Sequence, residues 1–155
     1  MKQITLPLTT IDPRPVVHLE KDLGIYAMLD TGAVVPVWVD EEKHLQAIGG
    51  VKTRENAIFG GFGGNTSGPL YHIPTFTVGD LTFPHLPVIV SEMNAPFHMI
   101  LSATMFKRLI YEIDDFHHKL NITVPDGESF VRNIKDYDDN GRLKIVLANE
   151  ISTCL

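Results

Sequence analysis

Residues 27–33 are Ala-Met-Leu-Asp-Thr-Gly-Ala, and this stretch decides the fold, together with the valine-rich run from Val34 to Val39 that follows it. One apolar segment leads into a tight turn at Asp30, and a second apolar segment leads away from it. A carboxylate between two buried strands is costly unless it is hydrogen-bonded or paired. Thr31 supplies a hydroxyl beside Asp30, and Gly32 permits a close backbone approach. A plain β-turn is the alternative, because Asp, Thr and Gly are common turn residues. However, fully apolar flanking strands are unusual around an ordinary hairpin turn.

Short runs rich in apolar and β-branched residues recur along the chain and predict further strands. Turn residues separate these runs, for example at Gly79-Asp80. The predicted strands are Gln3–Leu8, Val16–Leu19, Ile25–Leu29, Val34–Val39, Tyr71–Val78, Leu81–Val90 and Leu143–Leu147. The pattern therefore predicts a mainly β chain folded as a small closed β-barrel.

Helix signals are few. Asp40 is predicted to cap a short helix that ends at Gly49-Gly50, and Ser102 is predicted to cap another that runs through Leu109. The barrel should therefore carry one or two short helices. No linker or repeat divides the chain, so residues 1–155 are predicted to form a single domain.

Composition excludes several classes of protein. The net charge of −6 argues against a nucleic-acid partner. Cys154 is the only cysteine, so neither an intrachain disulfide nor a cysteine metal cluster can form. The adjacent pair His117-His118 would face opposite ways on a strand, and we predict no metal site and no cofactor. No apolar run is long enough for a signal peptide or a membrane span, so we expect no membrane partner and a cytoplasmic location.

Three segments resemble the aspartic peptidases. Residues 29–33, Leu-Asp-Thr-Gly-Ala, resemble the active-site signature of that family, an apolar residue followed by Asp-Thr-Gly and Ala or Ser. Ile58–Asn65 resembles the glycine-rich flap hairpin of the retroviral-type branch, the retropepsins. Phe97–Phe106 resembles their apolar-apolar-Gly segment, with Ser102 where the family usually has glycine. The resemblance covers Asp30 to about Leu109, and the extended C-terminal segment from about residue 112 has no counterpart.

The resemblance implies an aspartic endopeptidase, a hydrolase that acts as a homodimer on peptide or protein substrates. Asp30, Thr31 and Gly32 would form the catalytic motif, with Thr31 bonding across the dimer interface. Because the chain holds a single Asp-Thr-Gly, the second carboxylate would come from another copy. The residues implied to contact substrate are Ala33, Phe59, Gly60, Gly61, Phe62, Gly63 and Gly64.

Two alternatives stay open at this point. Ser102 and the long C-terminal segment motivate a catalytically inactive retropepsin-fold module that serves in dimerisation or peptide binding. The other alternative is an unrelated β-barrel ligand binder in which Asp30 is a plain turn residue. By analogy with retropepsins that interleave their termini, Lys2–Leu6 and Leu143–Leu147 are the predicted dimer contacts.

Overall fold

The computed structural model of the chain describes residues 1–19, 23–61 and 64–137; at position 55 and over 57–61 and 64–66 it describes the backbone alone. The described part is mainly β, as predicted, with one short α-helix and two 3₁₀ helices. Its elements in chain order are β1 (Lys2–Ile11), β2 (Arg14–Leu19), β3 (Ile25–Asp30), β4 (Val37–Trp38), α1 (Glu42–Ala47), β5 (Val51–Gly61), β6 (Gly64–Val78), β7 (Leu81–Val90), β8 (Met99–Ser102), a 3₁₀ helix (Ala103–Phe106), β9 (Ile110–Asp114), β10 (Lys119–Val124) and a second 3₁₀ helix (Ile134–Tyr137).

The predicted strands agree with the structure except in the valine-rich run. The prediction for β7 is confirmed residue for residue, and the other strands within the described part are longer than predicted. In the run from Val34 to Val39, only Val37–Trp38 is a strand. Pro36 has no N–H to contribute to a ladder, which accounts for the late start of β4. The predicted strand Leu143–Leu147 lies outside the described residues.

Strand β3 is apolar along its length because it is covered on both faces. Successive side chains of a strand point to opposite faces of the sheet. Ala27 and Leu29 belong to the main core, whereas Met28 packs in a smaller cluster with Val16 and Phe97. The apolar approach to Asp30, which the sequence shows as an uninterrupted run, is therefore the signature of a strand buried on two sides.

The strand order places a late segment of the chain beside Asp30. The sheet runs β5-β6-β7-β4-β8-β3-β2-β1-β10-β9, so β8 lies between β3 and β4. Strand β8 pairs in parallel with β3 and antiparallel with β4. The turn at Asp30 consequently joins two strands that are not neighbours, and the chain must pass over the end of β8 to reach β4.

The predicted closed barrel is not confirmed. Strands β5 and β9 end the sheet order, and no ladder in the described part of the chain joins them. The β6–β7 turn instead packs against β1 without a backbone ladder. A Cβ on Gly79 in this turn would lie 2.7 Å from Ile4 Cγ2 of β1. Side-chain packing of this kind gives no periodic backbone signal, so the sequence pattern could not distinguish it from hydrogen-bonded closure.

The predicted cap of the first helix is wrong, and the predicted cap of the second is right in position only. Helix α1 begins after Glu41, without a side-chain cap bond, and its first amide donates to Glu92 Oε1 at 2.8 Å. The helix ends before Gly49, as predicted, and that glycine has a φ of +101°. The segment after Ser102 is only a four-residue 3₁₀ helix, and Ser102 forms no cap bond. Its hydroxyl group bonds the side chain of Thr104 instead.

The N-terminal strand has partners within its own chain. Residues Lys2–Pro7 of β1 pair with β10, and Leu8–Ile11 pair with β2. Ile4 and Leu6 are buried in the main core. The assignment of Lys2–Leu6 to a dimer contact stays a prediction, and removing these residues would damage the core as well as any interface.

Candidate active site

Asp30 lies where two parallel strands end together. It is the last residue of β3 and stands opposite Ser102, the last residue of β8, in the parallel register. The carboxyl ends of parallel strands meet at one edge of a sheet, so the chain presents Asp30 at that edge. Asp30 is partly exposed, whereas the three residues before it are buried. The strand is thus buried immediately before its last residue, and the carboxyl group at its end stays accessible.

One carboxylate oxygen of Asp30 is oriented by the turn itself. The amide of Gly32 donates to Asp30 Oδ1 at 2.9 Å, and the amide of Ala33 donates to the Asp30 carbonyl at 3.2 Å. A Cβ on Gly32 would lie 3.3 Å from Oδ1, which is tighter than ordinary van der Waals contact. Glycine at this position therefore lets the carboxylate sit against the backbone without displacement.

The remaining residues of the predicted catalytic motif lie at the surface. Thr31 and Gly32 are exposed, and Ala33 is partly exposed. The structure thus brings the predicted residues Asp30, Thr31, Gly32 and Ala33 together in one accessible turn. The bond that Thr31 is predicted to make across a dimer interface stays a prediction.

The segment that follows β8 forms hydrogen bonds with Ala33 and Val34, the residues through which the chain leaves the turn and which we call its outgoing arm. The amide of Ala103 donates to the Ala33 carbonyl at 3.1 Å, and Thr104 Oγ1 donates to the Val34 carbonyl at 2.7 Å. The buried Ser102 has its Oγ 2.8 Å from Thr104 Oγ1. Ser102 stands out in the sequence, but the role of Thr104 does not, because Thr104 and Val34 are 70 residues apart and no local pattern links them.

The glycine-rich segment forms the predicted hairpin. Strands β5 and β6 pair antiparallel up to Gly61 opposite Gly64, with Phe59 opposite Thr66 and Gly60 opposite Asn65. Phe62 and Gly63, between the two strands, lie outside the described residues. Contact between this hairpin and a substrate stays a prediction.

Several carboxylates away from the turn have lowered pKa values. A hydrogen bond from the Tyr71 hydroxyl is the largest cause that lowers the pKa of Glu42, and Lys52 adds to it. Burial by itself would raise the pKa of Asp40, but bonds from His44 and the Glu41 backbone lower it overall. These groups are engaged with partners of their own, so they are poor candidates for a second catalytic carboxylate.

Asp114 is a further carboxylate away from the Asp30 turn whose pKa is lowered. Hydrogen bonds from the backbone and the ring of His117 lower the pKa of its carboxyl group. His117, one of the adjacent pair His117-His118, is therefore engaged with the carboxylate at the end of β9. No group of three or more potential metal ligands occurs among residues 1–19, 23–61 and 64–137. Within the same part of the chain, no helix is long and apolar enough to cross a membrane.

Comparison with known proteins gives the site its context. A family model described as aspartyl protease matches residues 19–105, which is more than half of the chain and includes the Asp30 turn, the glycine-rich hairpin and β8. A crystal structure of a retropepsin-like aspartic protease from Rickettsia conorii is similar, with a TM-score of 0.52 and 16% identity over 78% of this chain and 89% of that chain. No curated protein sequence matches the chain significantly. At that identity the structural likeness shows the fold, and the family model shows the family. The chain therefore belongs to the aspartyl protease family and has a retropepsin-like fold.

Proposed function

We propose that the chain is an aspartic endopeptidase whose active site contains Asp30 from each of two copies. One observation carries the proposal: Asp30 ends a buried strand at an accessible sheet edge, with Oδ1 oriented by the Gly32 amide at 2.9 Å. This arrangement, in a chain of the aspartyl protease family, suits a carboxylate that acts on a bound substrate.

The chemistry requires a second carboxylate. Two carboxyl groups within a few ångströms share one proton, because both cannot ionise easily; aspartic proteases as a class are the standard example. The ionised member takes a proton from a water molecule, and the protonated member donates to the carbonyl oxygen of the scissile bond. The pair titrates as a unit, so a pH profile of the rate reports the pair and not one residue.

A second copy is the source of that carboxylate in this proposal. The sequence contains Asp-Thr-Gly once. Among the described aspartates, Asp40 and Asp114 pair with histidines and Asp80 pairs with Lys2. A two-fold axis beside the turn would bring Asp30 and its equivalent together, because a C2 interface uses the same surface of both copies. The exposed position of Thr31 is compatible with a contact across that axis.

The substrate is proposed to be a peptide segment held in an extended conformation. Ala33 would line the site beside Asp30, and the hairpin would pair with the peptide backbone, as extended peptides do with accessible strand edges. The hairpin residues proposed to make this contact are Phe59, Gly60, Gly61, Phe62, Gly63 and Gly64. The observation that supports it is the strand geometry of the described part of the hairpin.

One reason for considering an inactive module is that Ser102 stands where the family usually has glycine. The environment of Ser102 weakens this reason. The Ser102 side chain is fully buried, and its hydroxyl bonds Thr104. The serine that replaces the family's usual glycine is therefore accommodated by hydrogen bonding.

The first experiment compares two aspartates that both lie in turns. The wild type, Asp30→Asn and Asp80→Asn are incubated with a diverse peptide pool between acidic and neutral pH, and cleavage is measured by mass spectrometry. We expect Asp30→Asn to lose about 10²–10⁴-fold in rate, the usual contribution of a general acid or base. Asp80→Asn should keep the wild-type rate, because its exposed ion pair with Lys2 contributes little to stability. Absence of cleavage by the wild type, or full activity of Asp30→Asn, would contradict the proposal.

The second experiment tests whether two copies share the site. Inactive Asp30→Asn chains are added to a constant amount of wild type, and native mass spectrometry confirms that subunits exchange. If the site contains one Asp30 from each copy, activity per wild-type chain falls to about half in an equimolar mixture, as random pairing requires. Undiminished activity in fully exchanged mixtures would show that each chain carries a complete site.

A further inference from the structure

Ser102 stands where the family usually has glycine. Together with Thr104 it forms a hydrogen-bonded link to the Asp30 turn. Ser102 Oγ lies 2.8 Å from Thr104 Oγ1, and Thr104 Oγ1 lies 2.7 Å from the Val34 carbonyl oxygen. Ser102 is fully buried, as are Leu101 before it and Met105 beyond Thr104. Thr104 itself is partly exposed. A buried hydroxyl such as that of Ser102 is costly unless it is hydrogen-bonded, so its bond to Thr104 has a strong reason to persist.

The direction of the link follows from counting hydrogens. A carbonyl oxygen can only accept, so the single hydroxyl hydrogen of Thr104 must point at Val34. The bond between the two hydroxyls must then be donated by Ser102. The link therefore runs from Ser102 through Thr104 to Val34, and each donated bond polarises the next, as in other chains of hydrogen bonds.

The link ends on the part of the backbone that fixes the Asp30 turn. Val34 follows directly on the motif, and the Ala33 carbonyl beside it accepts from the Ala103 amide at 3.1 Å. Two consecutive carbonyls of the outgoing arm are thus held by two consecutive residues, Ala103 and Thr104. The incoming arm is held by the parallel pairing of β3 with β8. The turn is consequently fixed on both sides by one continuous segment, residues 99–104.

We propose that Ser102 and Thr104 are positioning residues for Asp30. Thr104 holds the outgoing arm of the turn through Val34, and Ser102 orients the Thr104 hydroxyl toward that carbonyl. A chain with glycine at position 102 would lack this orienting donor. The inference rests on the proposed peptidase function, because its consequence is the placement of Asp30 for the reaction; both residues act through the backbone of the turn.

The test separates positioning from folding. Thr104→Val keeps the branched shape and removes the hydroxyl, Thr104→Ser keeps the hydroxyl, and Ser102→Ala removes the orienting donor alone. Ser129→Ala is the control, because Ser129 Oγ also donates to a backbone carbonyl at 2.7 Å, in the segment after β10 and outside the proposed site. For each variant, kcat and KM are measured on a peptide that the wild type cleaves, together with amide hydrogen exchange of the folded protein.

We expect Thr104→Val to lose about tenfold or more in kcat with little change in KM, because a small displacement of a catalytic group has a large effect on rate. Exchange of the Gly32, Ala33 and Ala103 amides should accelerate, while the amides paired between β9 and β10 keep their wild-type rates. Thr104→Ser should recover most of the rate, Ser102→Ala should lose less than Thr104→Val, and Ser129→Ala should behave as wild type.

Wild-type kcat and wild-type exchange in Thr104→Val would overturn the inference and leave the peptidase proposal standing, provided that Asp30→Asn is inactive. A wild-type protein that cleaves nothing would remove the peptidase proposal before any variant is made. In that case, unchanged exchange in Thr104→Val would also reject the link itself. If Thr104→Val does not fold, Ser102→Ala, which retains the bond to Val34, decides the question by the same two measurements, and wild-type values for it reject the role of Ser102.

Discussion

Two of the turns that combine an aspartate with a glycine differ in what they connect. Gly79-Asp80 joins β6 to β7, which are adjacent strands with Val78 opposite Leu81. Asp30-Thr31-Gly32 joins β3 to β4, which are separated by β8. The side chain of Asp80 is 55% exposed and pairs with Lys2, whereas Asp30 accepts a bond from the backbone of its own turn. A turn between neighbours closes a local hairpin, and a turn that passes over an intervening strand places its carboxylate where two parallel strands end.

The largest effect that would test this difference is expected at Gly32. Gly32→Ala would place a Cβ 3.3 Å from Asp30 Oδ1, so the carboxylate must shift by a few tenths of an ångström. We expect the rate of peptide cleavage to fall by about 10–100-fold, because catalysis depends steeply on the placement of the reacting group. Urea unfolding at fixed protein concentration should show a change of less than about 1 kcal/mol, since the new methyl group lies on an exposed turn. Wild-type cleavage by this variant would show that the close approach of residue 32 to Oδ1 does not set the position of the Asp30 carboxylate.

The second effect is expected at Gly79 and should appear in stability. Gly79 has a φ of +57°, and a Cβ there would lie 2.7 Å from Cγ2 of the buried Ile4. Gly79→Ala should therefore lower the free energy of unfolding by about 2–4 kcal/mol, from backbone strain together with overpacking. The activity of the folded fraction should equal that of the wild type.

A matched control separates the two causes. Gly24 has a φ of +70°, and apart from its two chain neighbours no atom of the residues that the structure describes lies within 4 Å of the position that a Cβ would occupy there. Gly24→Ala is therefore expected to carry the backbone strain alone. It should lower the free energy of unfolding by about 1–2 kcal/mol. Equal losses in Gly24→Ala and Gly79→Ala, measured by urea unfolding, would show that the contact with Ile4 contributes nothing.

The smallest effect concerns acid stability and the carboxyl group of Glu42, which lies in neither turn. The Tyr71 hydroxyl lowers the pKa of Glu42 in the folded chain, so this interaction stabilises the fold above the unfolded pKa and is lost as the pH falls through the folded pKa. Glu42→Gln should therefore be less stable than the wild type near neutral pH, and the difference should shrink as the solution is acidified. Tyr71→Phe, which removes the donor, should show the same trend.

Unfolding curves across this pH range provide the measurement for Glu42→Gln. A stability difference that grows on acidification would contradict the direction of the pKa shift. The pH profile of cleavage, taken where both proteins are folded, should be the same for Glu42→Gln and the wild type, because Glu42 lies in neither turn.

The elements that were predicted well are those whose signals are local. Leu81–Val90 was predicted with its observed bounds, because β-prone residues and flanking turn residues mark both ends. The cap of α1 was predicted wrongly, since Glu92, 50 residues away, takes the role expected of Asp40. The Asp30 turn was recognisable from its apolar flanks, and the reason for those flanks, a strand covered on both faces, became clear only from the packing around Met28.

The sequence by itself determined the β class, the glycine-rich hairpin and the motif around Asp30, because each depends on residues that are neighbours along the chain. The tertiary structure alone decided that β8 lies between β3 and β4, that the sheet stays open in the described part, and that Ser102 and Thr104 reach Val34. Such contacts depend on strand order and register between segments some 70 residues apart, which no local pattern of residues specifies. Asp30 is recognised by its neighbours in sequence, and it is held in place by residues far from it in the chain.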